Sequence, residues 1–374
     1  MKKLLFISHE ATRTGAPMLL LNLIAWLVEH RKNEYDITVW CVSGGELIPE
    51  FKKIVTTIDL NNKRQYRPYK LNKYIKKIVY KYSAYKLQQT WDLIFSNTIV
   101  NGKSLSFLKQ PQTPVISYIH ELESSIKIFQ DRAQVAGTLK NTNTFLCGSK
   151  LVQQNLINNH MVDAKETKVV HSFVPFESNK KSEHKASALR SELNIPNDAL
   201  VIGMMGSFID RKGTDFFIET AERLTTENIY FIWVGADAQK IDPKLKEKIN
   251  CLKLKLVPAT KHYQQYFNVI DVFYLSSKED PYPMVMVEAS SYGIPILCFE
   301  NAGGTQEFID HKVGHVIPFG DTNSAATKIL AYHNNRNNVE QHTEYIKTKS
   351  KMTHDVNVNA VIIDKVIREL LEKQ

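Results

Sequence analysis

The residues best suited to chemistry lie in one stretch, Leu275 to Ile296. An apolar run, Val272–Leu275, enters a polar turn and then a helical pattern that ends at Gly293. Pro283 suits the first helical position, where a missing N–H costs nothing, and glycine is the usual stop. The opening amides of such a helix, at Met284 and Val285, make an anion site fit for a diphosphate. Asp280 precedes the helix and Glu288 lies one turn inside it. Both carboxylates can accept hydrogen bonds from sugar or ribose hydroxyls. The plainer alternative is a capping aspartate and a solvated glutamate.

A second turn, Gly206 to Gly213, contains Arg211 and Lys212 between an apolar run and a helix that begins near Asp215. A cation at a strand-to-helix turn can neutralise a diphosphate, and the helix start adds to its field. A third loop runs from Ser8 through Gly15 to Pro17, where glycine permits close backbone approach. His120 stands at the carboxyl end of the apolar run Val115–Ile119, a position from which an imidazole can reach a ligand. Ser96, Asn97, Thr98 and Ser149 close other such runs.

These groups need a scaffold, and the pattern supplies one. Short apolar runs alternate with amphipathic stretches from end to end, the βαβ signature of parallel, doubly wound sheets. In the first half the expected strands are Lys3–Ser8, Ile37–Val42, Leu93–Ser96, Val115–Ile119, Thr144–Cys147 and Lys168–His171. A polar linker between Val174 and Lys185 precedes a second series: Val201–Met205, Tyr230–Val234, Leu252–Val257, Val272–Leu275, Pro295–Phe299 and His315–Ile317. The chain closes with a helix from about Val356 to Leu371. The expected domains are 1–178, 179–355 and a terminal helical segment, 356–374. Ligands of such sheets bind at the carboxyl ends of the strands, so a cleft where two sets of ends face each other is the expected site.

The Asp280–Glu288 segment resembles the donor motif of the retaining glycosyltransferases of family 4, which have the GT-B fold. That motif has two glutamates with seven residues between them. The resemblance implies that Glu288 contacts the ribose, and that Asp280, one methylene shorter than the usual glutamate, stands where the donor sugar is held. Lys212 matches a family lysine that binds the leaving diphosphate. Ser207 stands in place of the family's arginine, with Arg211 the candidate substitute. Gly15 matches the Gly-rich first loop. His120 with Glu121 is similar to a His-acid pair near donor sugar and acceptor, and Gly303, Gly304 and Glu307 match a further turn. The implied architecture is two Rossmann-like domains facing across a cleft, with the closing helix crossing back to the first. The first domain binds the acceptor and the second the nucleotide sugar. The implied reaction is metal-independent transfer of a hexose-type sugar to a glycan or lipid-linked acceptor, as in surface polysaccharide synthesis. Configuration is retained, by same-face attack assisted by the leaving phosphate. Catalytic roles fall to His120, Asp280 and Lys212; no protein nucleophile and no cofactor beyond the donor substrate are implied. A sugar-nucleotide epimerase of the same fold and a non-catalytic nucleotide-sugar-binding subunit are the alternatives.

Composition narrows the partners. A hydrophobic fraction of 43% with 23% charged residues excludes a disordered chain. The net charge of +9 favours an anionic partner. No nucleic-acid module is recognisable. Residues 61–91 contain many Lys and Arg and no acidic residue, with Leu71, Tyr74, Ile75, Ile78, Val79 and Tyr82 at helical spacing. That stretch reads either as a packed helix with solvated lysines or as a contact with an anionic membrane surface. No run reaches the ~18 apolar residues of a membrane span, and Leu4 to Ser8 is too short for a secretory signal. The expected location is therefore cytoplasmic, with peripheral attachment to the inner membrane face. Cys41, Cys147, Cys251 and Cys298 read as buried thiols.

Overall fold

Twelve expected strands and one unforeseen edge strand build two parallel sheets in a computed structural model, which describes residues 1–59, 85, 87, 89–128, 131–176, 181–237 and 239–373. The first sheet comprises β1 (Lys2–Ser8), β2 (Tyr35–Cys41), β3 (Thr56–Asp59), β4 (Leu93–Ser96), β5 (Val115–Ile119), β6 (Thr144–Cys147) and β7 (Thr167–Val169). Its order is β3-β2-β1-β4-β5-β6-β7. The second comprises β8 (Leu200–Met205), β9 (Ile229–Val234), β10 (Leu254–Val257), β11 (Val272–Leu275), β12 (Ile296–Phe299) and β13 (Gly314–Ile317), in the order β10-β9-β8-β11-β12-β13.

The central strands read as unbroken apolar runs because helices cover both faces of such sheets. Leu4, Leu5, Phe6 and Ile7 of β1 are all inaccessible to solvent, as are Leu93, Ile94 and Phe95 of the adjacent β4. In the second sheet Phe217, on the helix Thr214–Arg223, meets Phe231 and Trp233 edge-on at centroid distances of 5.3 and 5.1 Å. β3 escaped sequence reading because Thr56, Thr57 and Asp59 carry no apolar signal. It is an edge strand, only partly buried, and pairs with β2 alone.

The chain divides into two compact units, Met1–Pro175 with Val356–Gln374, and Phe176–Asp355. The polar linker was expected to part them after residue 178; the division falls after Pro175, and residues 177–180 lie outside the described ones. The closing helix Val356–Leu371 belongs to the first unit. The Val356 amide donates to the Val174 carbonyl at 3.0 Å, and Trp26 Nε1 donates to Asn357 Oδ1 at 3.0 Å. Buried Asp364 accepts from Tyr35 Oη at 2.8 Å, Arg31 Nε at 2.9 Å and Arg368 Nε at 3.1 Å.

One cysteine departs from expectation. Cys41, Cys147 and Cys298 are buried, but Cys251 is exposed. It caps the carboxyl end of the surface helix Pro243–Asn250, where the short apolar run around it turns outward. Nearly all of the basic stretch 61–91, including its helical stripe, lies outside the described residues. No described helix is long and apolar enough to cross a membrane.

Candidate functional site

In each sheet the strand order reverses at one place, between β1 and β4 in the first and between β8 and β11 in the second. Connections leave such a point in opposite directions, which opens a crevice at the carboxyl ends of the strands. Several of the residues singled out from the sequence lie in the turns that follow these strands.

In the second unit, β8 ends at Gly206, whose φ of +136° lets the chain turn sharply. A turn of 3-10 helix, Asp210–Lys212, follows, and Gly213 at φ +67° opens the helix Thr214–Arg223. A Cβ on Gly213 would stand 1.8 Å from the carbonyl oxygen of Ser276, so only glycine lets the turns after β8 and β11 touch. Hydrogen bonds then tie the two turns together. Ser276 Oγ donates to the Lys212 carbonyl at 3.1 Å, and the Lys278 amide donates to the Arg211 carbonyl at 2.9 Å. The Arg211 guanidinium donates back to the Glu279 carbonyl at 2.8 Å. Lys278 Nζ bridges Asp210 Oδ1 at 2.6 Å and Asp215 Oδ2 at 2.8 Å, and these bonds raise its pKa.

Lys212 and Asp280, read from the sequence as contacts to different parts of a ligand, form an ion pair with each other. The pair is largely buried, with side-chain exposures of 13% and 9%. Ser277 Oγ adds a 3.4 Å hydrogen bond to Asp280 Oδ2. Asp280 is held from behind as well: its amide donates to the Ala302 carbonyl at 2.7 Å, and Gly303 bridges it from the turn after β12. Gly303 has φ +147°, and a Cβ there would fall 1.7 Å from the Asp280 carbonyl oxygen.

The helix that follows runs Met284–Ser291, with Pro283 as its N-cap rather than its first residue. The reason is conformational. Pro283 has an extended ψ of 129°, while its carbonyl already accepts from the Met286 amide at 3.1 Å. No side chain caps this helix and no acidic residue occupies its first turn, so its partial positive charge at Met284 and Val285 is left for an anion.

Glu288 is 5% exposed, which rules out the solvated reading. Its Oε1 accepts from Tyr263 Oη at 2.5 Å and more weakly from Gln264 Nε2 at 3.4 Å. Its Oε2 is buried with no hydrogen-bond partner. Burial raises its pKa to about 7, against the opposing pull of the Tyr263 and Gln264 hydrogen bonds. A buried polar atom left unpaired costs roughly 1–3 kcal/mol, so this oxygen suits a hydroxyl brought by a ligand.

In the first unit, β1 leads to Gly15, which is exposed and begins the helix Gly15–His30. Asn97, after β4, bridges this turn to His120, after β5. Its Nδ2 donates to the Ala16 carbonyl at 2.8 Å, and its Oδ1 faces His120 Nε2 at 3.0 Å. The amide oxygen can only accept, so Nε2 bears the proton and Nδ1 keeps a lone pair. Burial lowers the His120 pKa to about 3, and the Tyr118 ring lies tilted against the imidazole at a centroid distance of 4.3 Å. Glu121 is not a second site carboxylate of the same kind. Both its oxygens accept local hydrogen bonds, from Thr98 Oγ1 and from the amides of His120 at 2.9 Å and Ile99 at 3.4 Å. Burial raises its pKa.

Thus Arg211, Lys212 and Asp280 meet where the turns after β8 and β11 touch, Pro283, Met284 and Val285 open the helix that follows, Glu288 lies further along that helix against Tyr263, and Asn97 joins the turn at Gly15–Ala16 to His120. Tyr263, Gln264 and Lys278 were not legible beforehand. The first two sit on a turn of 3-10 helix, Tyr263–Asn268, far from Glu288 in sequence, and no spacing rule links them. Lys278 offered only its charge within the polar turn. Among the described residues no group of three or more His, Cys, Asp or Glu could hold a metal ion.

Two Rossmann-like units with parallel sheets and a closing helix returned to the first are the GT-B architecture, shared over the full length of solved relatives. HepE of Anabaena, solved in complex with UDP-glucose, superposes with a TM-score of 0.81 at 21% identity, covering 100% of both chains. Residues 199–335, the part that carries Lys212, Asp280 and Glu288, match the family model of glycosyl transferases group 1. The lipopolysaccharide core biosynthesis glycosyltransferase LpsE of Rhizobium meliloti is 27% identical over 143 residues, 37% of this chain and 41% of that protein. The O-antigen biosynthesis glycosyltransferase WclY of Escherichia coli is 27% identical over 123 residues, 31% of this chain and 33% of that protein. This chain therefore spans less than half the length of either relative.

Proposed function

We propose that the protein is a glycosyltransferase that moves a hexose-type sugar from a nucleotide diphosphate onto a glycan or lipid-linked acceptor, in surface polysaccharide synthesis. The observation that carries this reading is the Lys212–Asp280 pair beside the uncapped start of the helix Met284–Ser291. An arriving diphosphate draws the Lys212 ammonium onto its oxygens. Asp280 is then released to accept from a donor-sugar hydroxyl, while the amides of Met284 and Val285 take the opposite phosphate face. Glu288 receives the ribose on its unpartnered Oε2.

Breaking the bond from the anomeric carbon leaves negative charge on the departing phosphate. Lys212, once drawn off Asp280, and the amides of the helix start donate to that charge as it develops, with Arg211 close by, and such donors lower the barrier. His120, neutral and held by Asn97, presents Nδ1 as a hydrogen-bond acceptor for a hydroxyl of the donor sugar or the acceptor. Transfer proceeds with retention, by attack on the face the phosphate leaves, and needs no metal. Attachment to an anionic membrane surface through residues 61–91, at the inner face of the membrane, completes the reading.

Product analysis with a panel of UDP- and GDP-sugars, with and without acceptor glycans, tests the proposal. Transfer by the wild type, at least hundredfold lower in Lys212→Ala and undiminished by excess chelator, is the expected result. Conversion of one nucleotide sugar into another without acceptor would indicate an epimerase instead. A second reading rests on Ser207, which is exposed and uncharged where a family cation is expected, and on the Arg211 contact to Glu279. On that reading the protein binds nucleotide sugars without turning them over. Binding with neither transfer nor donor hydrolysis would favour it.

A further inference from the structure

Behind the donor site runs a buried chain of polar side chains that the proposed reaction does not use. Tyr282 Oη lies 2.6 Å from His354 Nε2, His354 Nδ1 lies 3.2 Å from Ser350 Oγ, and Ser350 Oγ lies 2.6 Å from Ser290 Oγ. Ser290 Oγ donates in turn to the Val287 carbonyl at 2.8 Å. His354, Ser350 and Ser290 are inaccessible to solvent and Tyr282 is 6% exposed. The His354 ring also packs on Phe308 at a centroid distance of 4.5 Å.

The protons in this chain can be placed. A carbonyl only accepts, so the Ser290 hydroxyl hydrogen goes to Val287. Ser350 must then donate to Ser290 and accept from His354 Nδ1–H. A ring that carries its one proton on Nδ1 presents the Nε2 lone pair to the Tyr282 hydroxyl. Every donor points the same way, from Tyr282 through the helix Asn337–His354 and back into the helix Met284–Ser291. The relay grips that second helix at both ends. Tyr282 stands immediately before the N-cap Pro283, and Ser290 lies in the last turn.

We infer that His354, with Tyr282, Ser350 and Ser290, is a positioning relay that aims the opening amides of the helix Met284–Ser291 at the diphosphate. It touches neither donor nor acceptor and acts through Tyr282 on the turn from Asp280 to Met284. Packing alone would be served as well by apolar groups of the same shape. A unidirectional polar chain with all its members paired selects one orientation among several that pack equally well. The inference rests on the donor-site reading above.

The test uses the full chain, with UDP and GDP titrated calorimetrically against the wild type, Tyr282→Phe, His354→Leu and His354→Gln, each checked for its melting temperature. Tyr282→Phe deletes one hydroxyl and keeps the ring, so it folds even if His354→Leu does not. The expected result is nucleoside diphosphate binding about tenfold weaker in Tyr282→Phe and His354→Leu. Partial recovery is expected in His354→Gln, whose amide oxygen can still accept from Tyr282. Wild-type affinity in all the folded variants, with only the melting temperature lowered, would reduce the relay to a stabilising network and overturn the inference. A glutamine variant no tighter than the leucine one would do the same. If the wild type itself binds neither nucleotide, the donor-site reading falls first and takes the relay with it.

Discussion

Lys212 and Asp280, 68 residues apart in sequence, meet as a buried ion pair where the turns after β8 and β11 touch. A lone lysine there would face the positive end of the helix Met284–Ser291, and a lone carboxylate would be poorly solvated. Paired, they keep the crevice near neutrality, and a diphosphate can trade places with the carboxylate.

Truncating one partner should cost more than removing both. Lys212→Ala leaves Asp280 unpaired and is expected to destabilise by about 3 kcal/mol, the usual cost of breaking a buried pair. The double variant Lys212→Ala with Asp280→Asn is expected to regain most of that loss while remaining inactive. Denaturant unfolding of the three variants, read as a double-mutant cycle, measures the coupling; strict additivity would mean the pair contributes nothing.

Glu288 makes stability fall as pH rises. Its folded pKa, about 7, lies above the ordinary 4.5, so its contribution is complete below pH 4.5 and is lost as pH climbs through 7. The interval corresponds to about 3 kcal/mol. Glu288→Gln is expected to gain stability relative to the wild type between pH 5 and 8. Melting curves that keep a constant gap across that range would contradict the assignment.

His120 acts in the opposite direction. Its pKa is depressed from 6.5 to about 3, so the stability it confers is present above pH 6.5 and lost as pH falls toward 3. The imidazole resonances of His120 should therefore remain those of a neutral ring at pH 5, and His120→Gln should tolerate acid better than the wild type. An imidazole titration near pH 6.5 would show that the ring is not held as described.

The closing helix depends on Asp364, which receives Tyr35, Arg31 and Arg368. Asp364→Ala removes the acceptor of the buried Tyr35 hydroxyl and one of the two carboxylates beside Arg31 and Arg368, which both keep Glu34. A loss of about 1–3 kcal/mol is expected, chiefly from the Tyr35 hydroxyl, with Asp364→Asn milder because it still accepts from one or two of them. Chemical unfolding checks the ranking; an alanine variant as stable as the wild type would count against the clamp.

Gly213 permits no side chain. Gly213→Ala would set a Cβ 1.8 Å from the Ser276 carbonyl oxygen at φ +67°. Separation of the two turns is expected to abolish nucleoside diphosphate binding even where the chain still folds, as titration with UDP and GDP would report. Unaltered binding would mean that the contact between turns is dispensable.

Much of this was legible beforehand for identifiable reasons. β4, β5, β6 and β11 are almost wholly buried, and their mainly apolar runs mark both ends of each strand. The helix Val356–Leu371 announced itself by its stripe of Val356, Ala360, Ile363 and Ile367. Edge strand β3 and the exposed Cys251 were not legible, because each sits where the sheet or helix meets water and the apolar pattern stops. Pro283 was read one position too far into its helix, since proline serves equally well as an N-cap when its ψ is extended.

By itself the sequence determined two doubly wound units, the turns at their strand ends and the residue types at those turns, because hydrophobic period and glycine placement are local properties. The tertiary structure alone decided that Lys212 would pair with Asp280, that Tyr263 would reach Glu288 and that Tyr282 would lean on His354. Those contacts depend on how sheet order and helix packing fold distant segments together, and the free energy of a buried polar group is set by whichever partner that packing brings.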